Sequence, residues 1–166
     1  KDGDFLGKWE ERTGSGDGEL DRPSGMAFDA DDNLYIVDSG NHRVQKFNKD
    51  GKYLAQFGTY GSGDGQFDMP WGITIDEAGD IYIADWRNDR IQKFKPDGKL
   101  LMKFGSSGSG EGEFDRPTGV AVDQDGVIYV SDWLNNRLQI FDETGKFIDL
   151  KTGEAGLSKW GKAKLD

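Results

Sequence analysis

Residues 72–104 read Gly72-Ile73-Thr74-Ile75-Asp76, Glu77-Ala78-Gly79, Asp80-Ile81-Tyr82-Ile83-Ala84-Asp85, Trp86-Arg87-Asn88-Asp89, Arg90-Ile91-Gln92-Lys93-Phe94, then Pro96-Asp97-Gly98 and Lys99-Leu100-Leu101-Met102-Lys103-Phe104. Four short β-prone runs are separated by turn-forming clusters. Asp-Gly and Pro-Asp-Gly supply the positive φ and the preset φ that tight turns need, so the stretch predicts four antiparallel strands joined by hairpins. No segment carries a 3.6-residue apolar stripe long enough for a helix.

The same pattern occurs three times at a step of 47 residues: Pro23, Pro70 and Pro117; Asp38, Asp85 and Asp132; Arg43, Arg90 and Arg137; Phe47, Phe94 and Phe141; Gly51, Gly98 and Gly145. A four-stranded unit repeated at roughly 45 residues is the signature of a β-propeller blade. One such sheet cannot cover both its faces, but neighbours stacked radially can. That explains strands rich in Ile, Val and Phe. The fold class expected is all-β, with three propeller blades of four antiparallel strands per chain.

Each repeat resembles the NHL pattern: Pro-x-Gly, an apolar strand ending in Asp, Ile-Tyr-x-x-Asp, Asn-x-Arg, and a strand ending in Phe. The family's Asn-His-Leu tripeptide stands as Asn41-His42-Arg43, Asn88-Asp89-Arg90 and Asn135-Asn136-Arg137. The resemblance covers nearly all of residues 1–150 and implies a six-bladed ring. Fold resemblance carries little about activity, because propellers host many unrelated ones.

Blades are expected at about 23–57, 70–104 and 117–150, followed by a tail at 151–166. Residues 2–9, Asp2-Gly3-Asp4-Phe5-Leu6-Gly7-Lys8-Trp9, match the outer strand Asp50 to Phe57, and form an outer strand without a blade of their own. In the third repeat Lys151-Thr152 stands where Phe-Gly is expected. Together these suggest strand exchange: residues 4–9 would complete the third blade of a second chain, and a homodimer would close the ring. The rival is a longer array whose further blades complete it. Closure removes open edges and apolar end faces.

The chain has 166 residues, with 31 acidic against 21 basic, a net charge of −10. Nucleic-acid affinity comes largely from cations that displace counterions, so this balance disfavours nucleic acid. No apolar run reaches the ~20 residues of a membrane helix. The absence of cysteine excludes disulfides and thiolate metal sites, and fits an exported or a cytosolic chain alike.

Features that recur in every blade read as scaffold. Asp38/Arg43, Asp85/Arg90 and Asp132/Arg137 are expected to clamp the loop between second and third strands. The loops at 14–18, 61–65 and 107–112 resemble phosphate-binding loops but open no helix, so they read as linkers between blades. The acidic turns at 29–33, 76–80 and 123–126 lack the spacing of a calcium loop. His42 is the only histidine. Zinc catalysis needs about three protein ligands, and peptide-amidating lyases related to the family need several histidines, as the resemblance implies. No metal, cofactor or catalytic residue is therefore expected.

Positions that break the repeat are more informative. Ser24, Trp71 and Thr118 are equivalent, as are Ser39, Trp86 and Trp133. With Arg87, Leu134, Tyr60 and Met69, the three tryptophans are expected on one face around the ring centre, as a site for a protein, peptide or glycan. Three readings follow. The first is a non-enzymatic binding or assembly scaffold. The second is a propeller hydrolase or lyase with channel-lining carboxylates. RNA recognition, as in some animal NHL proteins, is third and requires a basic face.

Overall fold

A computed structural model describes residues 13–152. Twelve strands form three four-stranded sheets (β1 Pro23–Phe28, β2 Leu34–Asp38, β3 Arg43–Phe47, β4 Tyr53–Phe57, β5 Pro70–Ile75, β6 Ile81–Asp85, β7 Arg90–Phe94, β8 Leu100–Phe104, β9 Pro117–Val122, β10 Ile128–Asp132, β11 Arg137–Phe141 and β12 Phe147–Thr152). Each sheet is an antiparallel meander with strands in sequence order. The described residues include no α-helix, only single 3-10 turns at Ser39–Asn41 and Trp86–Asn88. The fold is all-β, three propeller blades side by side.

β2 and β6 are buried along their whole length. A strand that is covered on both faces can be apolar without alternation, and here each face meets a neighbouring blade. Ile73 and Ile75 of the second blade pack with Tyr35, Val37 and Val44 of the first. Val120 and Val122 of the third pack with Tyr82, Ala84 and Ile91 of the second. Linker residues Phe67 and Phe114 are fully buried in these seams. Phe67 meets Phe57 and Phe94 at 6.4 and 5.6 Å, and Phe114 meets Phe104 and Phe141 at 6.3 and 5.5 Å.

The innermost strands converge, β1 on β5 and β5 on β9. The register slips between Pro23 and Met26 and between Pro70 and Ile73, and the glycine of Pro-x-Gly sits in this irregular stretch. A Cβ on Gly25 would lie 2.6 Å from the Trp71 carbonyl, and one on Gly72 2.4 Å from that of Thr118. The glycine is there so that two backbones can touch. Gly72→Ala is expected to cost about 1–3 kcal/mol, since the obstruction is backbone and cannot rotate away. Thermal denaturation of the variant measures this.

The repeated Asp and Arg are joined as an ion pair in each blade: Arg43 Nε to Asp38 at 2.8 Å, Arg90 Nε to Asp85 at 2.8 Å and Arg137 Nε to Asp132 at 2.7 Å. They also reach past the loop between second and third strands. Arg90 donates to the carbonyls of Ser62, Gly63 and Gln66 in the incoming linker. Asn88 donates to Gly61 and to Asp85, and Asp85 accepts the Asp68 amide. Gln92 donates to Gln66 and accepts from Gly65. The clamp is thus a four-residue device, Asp-Asn-Arg-Gln, that fastens the linker onto the blade. The acidic turns close their own hairpins: Asp29 accepts the amides of Asp31 and Asn33, and Asp123 those of Asp125 and Val127.

The third blade carries an outer strand of its own, β12. β12 runs through Thr152, two residues beyond the expected boundary at 150, and pairs with β11 from Phe141↔Phe147 to Arg137↔Thr152. The ladder needs only backbone groups and an extended chain, so Lys151-Thr152 serves where Phe-Gly was expected. The outer position of the third blade is occupied by β12. Residues 2–9 lie outside the described residues.

Candidate binding face

Two loops and two inner strands build a cavity of about 500 Å³ lined by Trp71, Trp86, Thr118 and Trp133. Trp71 lies on β5 directly after its proline, and Thr118 holds the same place on β9. Trp86 opens the 3-10 turn after β6. Trp133 occupies the equivalent position after β10, and its backbone carbonyl accepts the Asn136 amide at 3.1 Å. The clamp aspartates immediately before Trp86 and Trp133 are fully buried, so both indoles project from anchored backbone.

The rings of Trp71 and Trp86 lie 5.9 Å apart at 41°. Two guanidinium groups sit by Trp86, Arg116 at 5.1 Å and Arg87 at 5.6 Å from the ring centre. Such contacts are worth about 0.5–1 kcal/mol each at exposed sites, and they hold the indole in place. Each arginine also faces an acid, Arg87 with Asp68 at 3.8 Å and Arg116 with Asp89 at 3.8 Å. Trp71 and Trp133 remain 43 % and 56 % exposed, which leaves indole surface turned to solvent.

The first blade shows what the scaffold does without tryptophan. Ser24 donates to the Trp71 carbonyl at 2.8 Å and Ser39 to that of Pro70 at 2.5 Å, with the two hydroxyls 2.7 Å apart. Serine there ties one blade to the next. In the second blade the same two positions carry indoles, and the polar tie is replaced by an open apolar surface.

The other expected residues are placed differently. Leu134 is half exposed beside Trp133, with its amide bonded to the Asp115 carbonyl at 3.1 Å, but does not line the cavity. Tyr60 is exposed and stands edge-on to His42 at 4.8 Å, away from the cavity lining. Met69 is buried and offers nothing to a ligand. It takes a left-handed backbone, φ 51°, before Pro70, and donates its amide to His42 Nδ1 at 3.0 Å. Thr118, named in the sequence as the equivalent of Trp71, lines the face, and Arg116 belongs to it but was not singled out by sequence reasoning. Both lie beside Pro117, and the substitution of Met69 by Arg116 at one repeat position was the available signal.

Near this face the clamp bonds the Asp85 and Asp132 carboxylates, and Asp89 accepts the Arg116 amide. Asp68 Oδ1, in contrast, is buried without a hydrogen-bond partner among the described residues, with His42 Nδ1 at 3.7 Å and Arg87 at 3.8 Å. Burial pushes the Asp85 carboxyl up, against the opposing pull of Asn88, the Asp68 amide and Arg90. On the distant side of the second blade, burial works to lower the Lys93 ammonium, but Tyr82 and Asp80 outweigh it and hold it above the usual range. Among the described residues no group of three or more His, Cys, Asp or Glu side chains is arranged to hold a metal ion.

With this geometry, the pattern of the NHL repeat matches residues 20–47, 67–94 and 114–141, half of the chain. The chain belongs to the NHL-repeat family. NHL repeats build propeller scaffolds for protein interaction. The RING finger protein nhl-1 of Caenorhabditis elegans is 47 % identical over 49 residues, 30 % of this chain and 5 % of the relative. Protein brain tumor of Drosophila melanogaster is 40 % identical over 42 residues, 25 % of this chain and 4 % of the relative. This NHL chain therefore spans a small part of the curated relatives it matches. Among solved structures, virginiamycin B lyase of Staphylococcus aureus superposes with a TM-score of 0.63 at 16 % identity, over 81 % of this chain and 42 % of the lyase. That likeness concerns the fold. The WD40 repeats of RRP9 superpose with a TM-score of 0.65 at 12 % identity, over 80 % of this chain and 39 % of that one.

Proposed function

We propose that this NHL array is a non-enzymatic binding scaffold whose tryptophan face takes a protein, peptide or glycan ligand. One observation carries the reading: the 500 Å³ cavity is walled by three indoles at positions where the first blade has serine. An aromatic wall that is held from behind and open in front suits a partner with a flat apolar face, such as an aromatic side chain or a pyranose ring. Aromatic anchors in recessed pockets carry a large share of interface energy. Arg87 and Arg116 at the edge add donors that would orient an acidic group on the ligand.

The experiment is a calorimetric titration of peptide, oligosaccharide and single-stranded RNA panels against the native chain and a Trp86→Ala/Trp133→Ala variant. A peptide or oligosaccharide that binds is expected to lose at least about tenfold in affinity, 1.4 kcal/mol, in the variant. Affinity unchanged in the variant would move the site off this face. RNA as the only binder, with affinity falling in Arg87→Ala/Arg116→Ala, would replace this reading with an electrostatic one.

A further inference from the structure

The tryptophan face is apolar at its centre and cationic at one edge, and that edge lies at the seam between the second and third blades. Arg87 belongs to the 3-10 turn after β6, and Arg116 to the linker that enters β9. Their guanidinium groups stand 5.6 and 5.1 Å from the Trp86 ring centre. In each ion pair the arginine stands outside its acid. Arg87 is 51 % exposed against 22 % for Asp68, and Arg116 32 % against 10 % for Asp89. A ligand arriving from solvent therefore meets positive charge first, on a chain whose net charge is −10.

The donors at this edge are also unused. At 3.8 Å neither acid is within hydrogen-bond distance of its guanidinium. Among the described residues the Arg87 guanidinium makes no hydrogen bond, and that of Arg116 makes one, to the Arg87 carbonyl at 3.2 Å. The indole N–H groups of Trp71, Trp86 and Trp133 make none there either. Thr118 supplies the only side-chain oxygen of the cavity lining, and it lies 3.1 Å from the Ser131 hydroxyl. The side chains of the face thus offer N–H donors and ring surfaces, with one hydroxyl among them.

Such a surface selects a ligand that brings acceptors without donors. A carboxylate does so. A sugar hydroxyl brings a hydrogen that finds no free oxygen on these side chains, which is unfavourable once water is excluded. The apolar centre calls for a flat ring beside the carboxylate. The Trp71 and Trp86 rings are 5.9 Å apart, and either guanidinium lies a similar step beyond Trp86. Ring and acid must therefore lie within roughly 10 Å of each other, which two or three extended residues span.

We propose, resting on the tryptophan face being a binding site, that its occupant is a peptide segment with an aromatic side chain and an aspartate or glutamate within about three residues of it. The aromatic ring packs against Trp71 in the cavity, and the carboxylate accepts charge-assisted hydrogen bonds from Arg87 and Arg116. Trp86 stands between these two subsites and keeps both arginines in place. A cationic ligand is repelled by the same two groups. A nucleic acid finds two cations where its affinity needs many.

Fluorescence anisotropy of labelled heptapeptides titrated with the native chain tests this. One set carries a central tryptophan, tyrosine or phenylalanine flanked on either side by glutamate; matched sets carry glutamine or lysine instead. The glutamate set is expected to bind at least about tenfold more tightly than the glutamine set, and the lysine set more weakly than both. This comparison uses the native chain, so it stands whether or not a variant folds. In Arg87→Gln/Arg116→Gln, with an unchanged circular dichroism spectrum, the glutamate preference should fall to about twofold or less. In Trp71→Ala every set should weaken together. Glutamine peptides that bind as tightly as glutamate peptides, or a glutamate preference that survives in the arginine variant, would overturn the acidic ligand and leave the face standing. Silence of every peptide at about 1 mM would overturn the peptide; oligogalacturonate or single-stranded RNA that then binds, and is lost in Trp71→Ala, would keep the face and replace its occupant. Peptide binding that Trp71→Ala leaves unchanged would overturn the site itself.

Discussion

Arg90→Ala is expected to lower the unfolding free energy by about 3–5 kcal/mol, measured by urea denaturation with circular dichroism at neutral pH. The side chain closes the middle clamp, where it is bonded to a fully buried Asp85 and to three linker carbonyls. Alanine leaves the carboxylate buried beside only neutral donors and strips three carbonyls of their partner. Arg90→Lys should recover only part of the loss, because an ammonium cannot reproduce the fork that bonds a carboxylate and three carbonyls together. The pH dependence has a defined sign. Burial already pushes the Asp85 carboxyl up in the native protein, so its folded value lies above its unfolded one. Such a group costs stability when ionised, and the cost is relieved as the pH falls through the folded value. Without Arg90 that cost grows, so the deficit of the variant should be largest at neutral pH and shrink on acidification. A deficit independent of pH would assign the loss to the linker carbonyls rather than to the stranded carboxylate.

Phe114→Ala should cost a similar amount, about 3–5 kcal/mol, although the residue belongs to a linker and not to a strand. Its ring is fully buried and packs against Phe104 and Phe141. Gly105 lies beneath it with φ +99°, and a Cβ there would come within 2.5 Å of the ring. Glycine and phenylalanine are therefore one fitted unit: the chain turns through a conformation other residues avoid and leaves the space the ring fills. Truncation opens a cavity in the seam between the second and third blades, whose walls are strands held by ladders on either side and cannot collapse into it. The same urea denaturation measures the loss. A change below about 1 kcal/mol would show that the seam relaxes and is not packed as a core.

Much of this architecture was legible because it repeats. Strand runs, hairpin turns and the Asp and Arg of the clamp recur at a fixed step, and a position that recurs in three equivalent environments reports its constraint three times. The partners of the clamp were harder to read. Arg90 bonds carbonyls at Ser62, Gly63 and Gln66, and a carbonyl has no side-chain signature, so no residue type marks it. Gln45, Gln92 and Gln139 recur just as strictly as the arginines, yet glutamine on a strand carries no distinctive expectation until its two bonds to the linker are seen.

The candidate face divides along the same line. Trp71, Trp86 and Trp133 stood out by breaking the repeat, and they do meet around one cavity. Met69 broke the repeat as well, but it is buried, while Arg116 at the equivalent position, with the same left-handed backbone, stacks on Trp86. Two side chains at one repeat position thus face different surroundings, a matter of which blade lies beside each.

By itself the amino-acid sequence determined the three blades, their order and the residues that build each one, because hairpin pairing is local and glycine, proline and alternating apolar positions encode it within some 50 residues. Only the tertiary structure decided that β12 continues through Lys151-Thr152, that the clamp fastens linkers, and which side chains at one repeat position turn inward. Those outcomes depend on backbone groups and on contacts between neighbouring blades, and neither leaves a mark on the side chains of one repeat read alone.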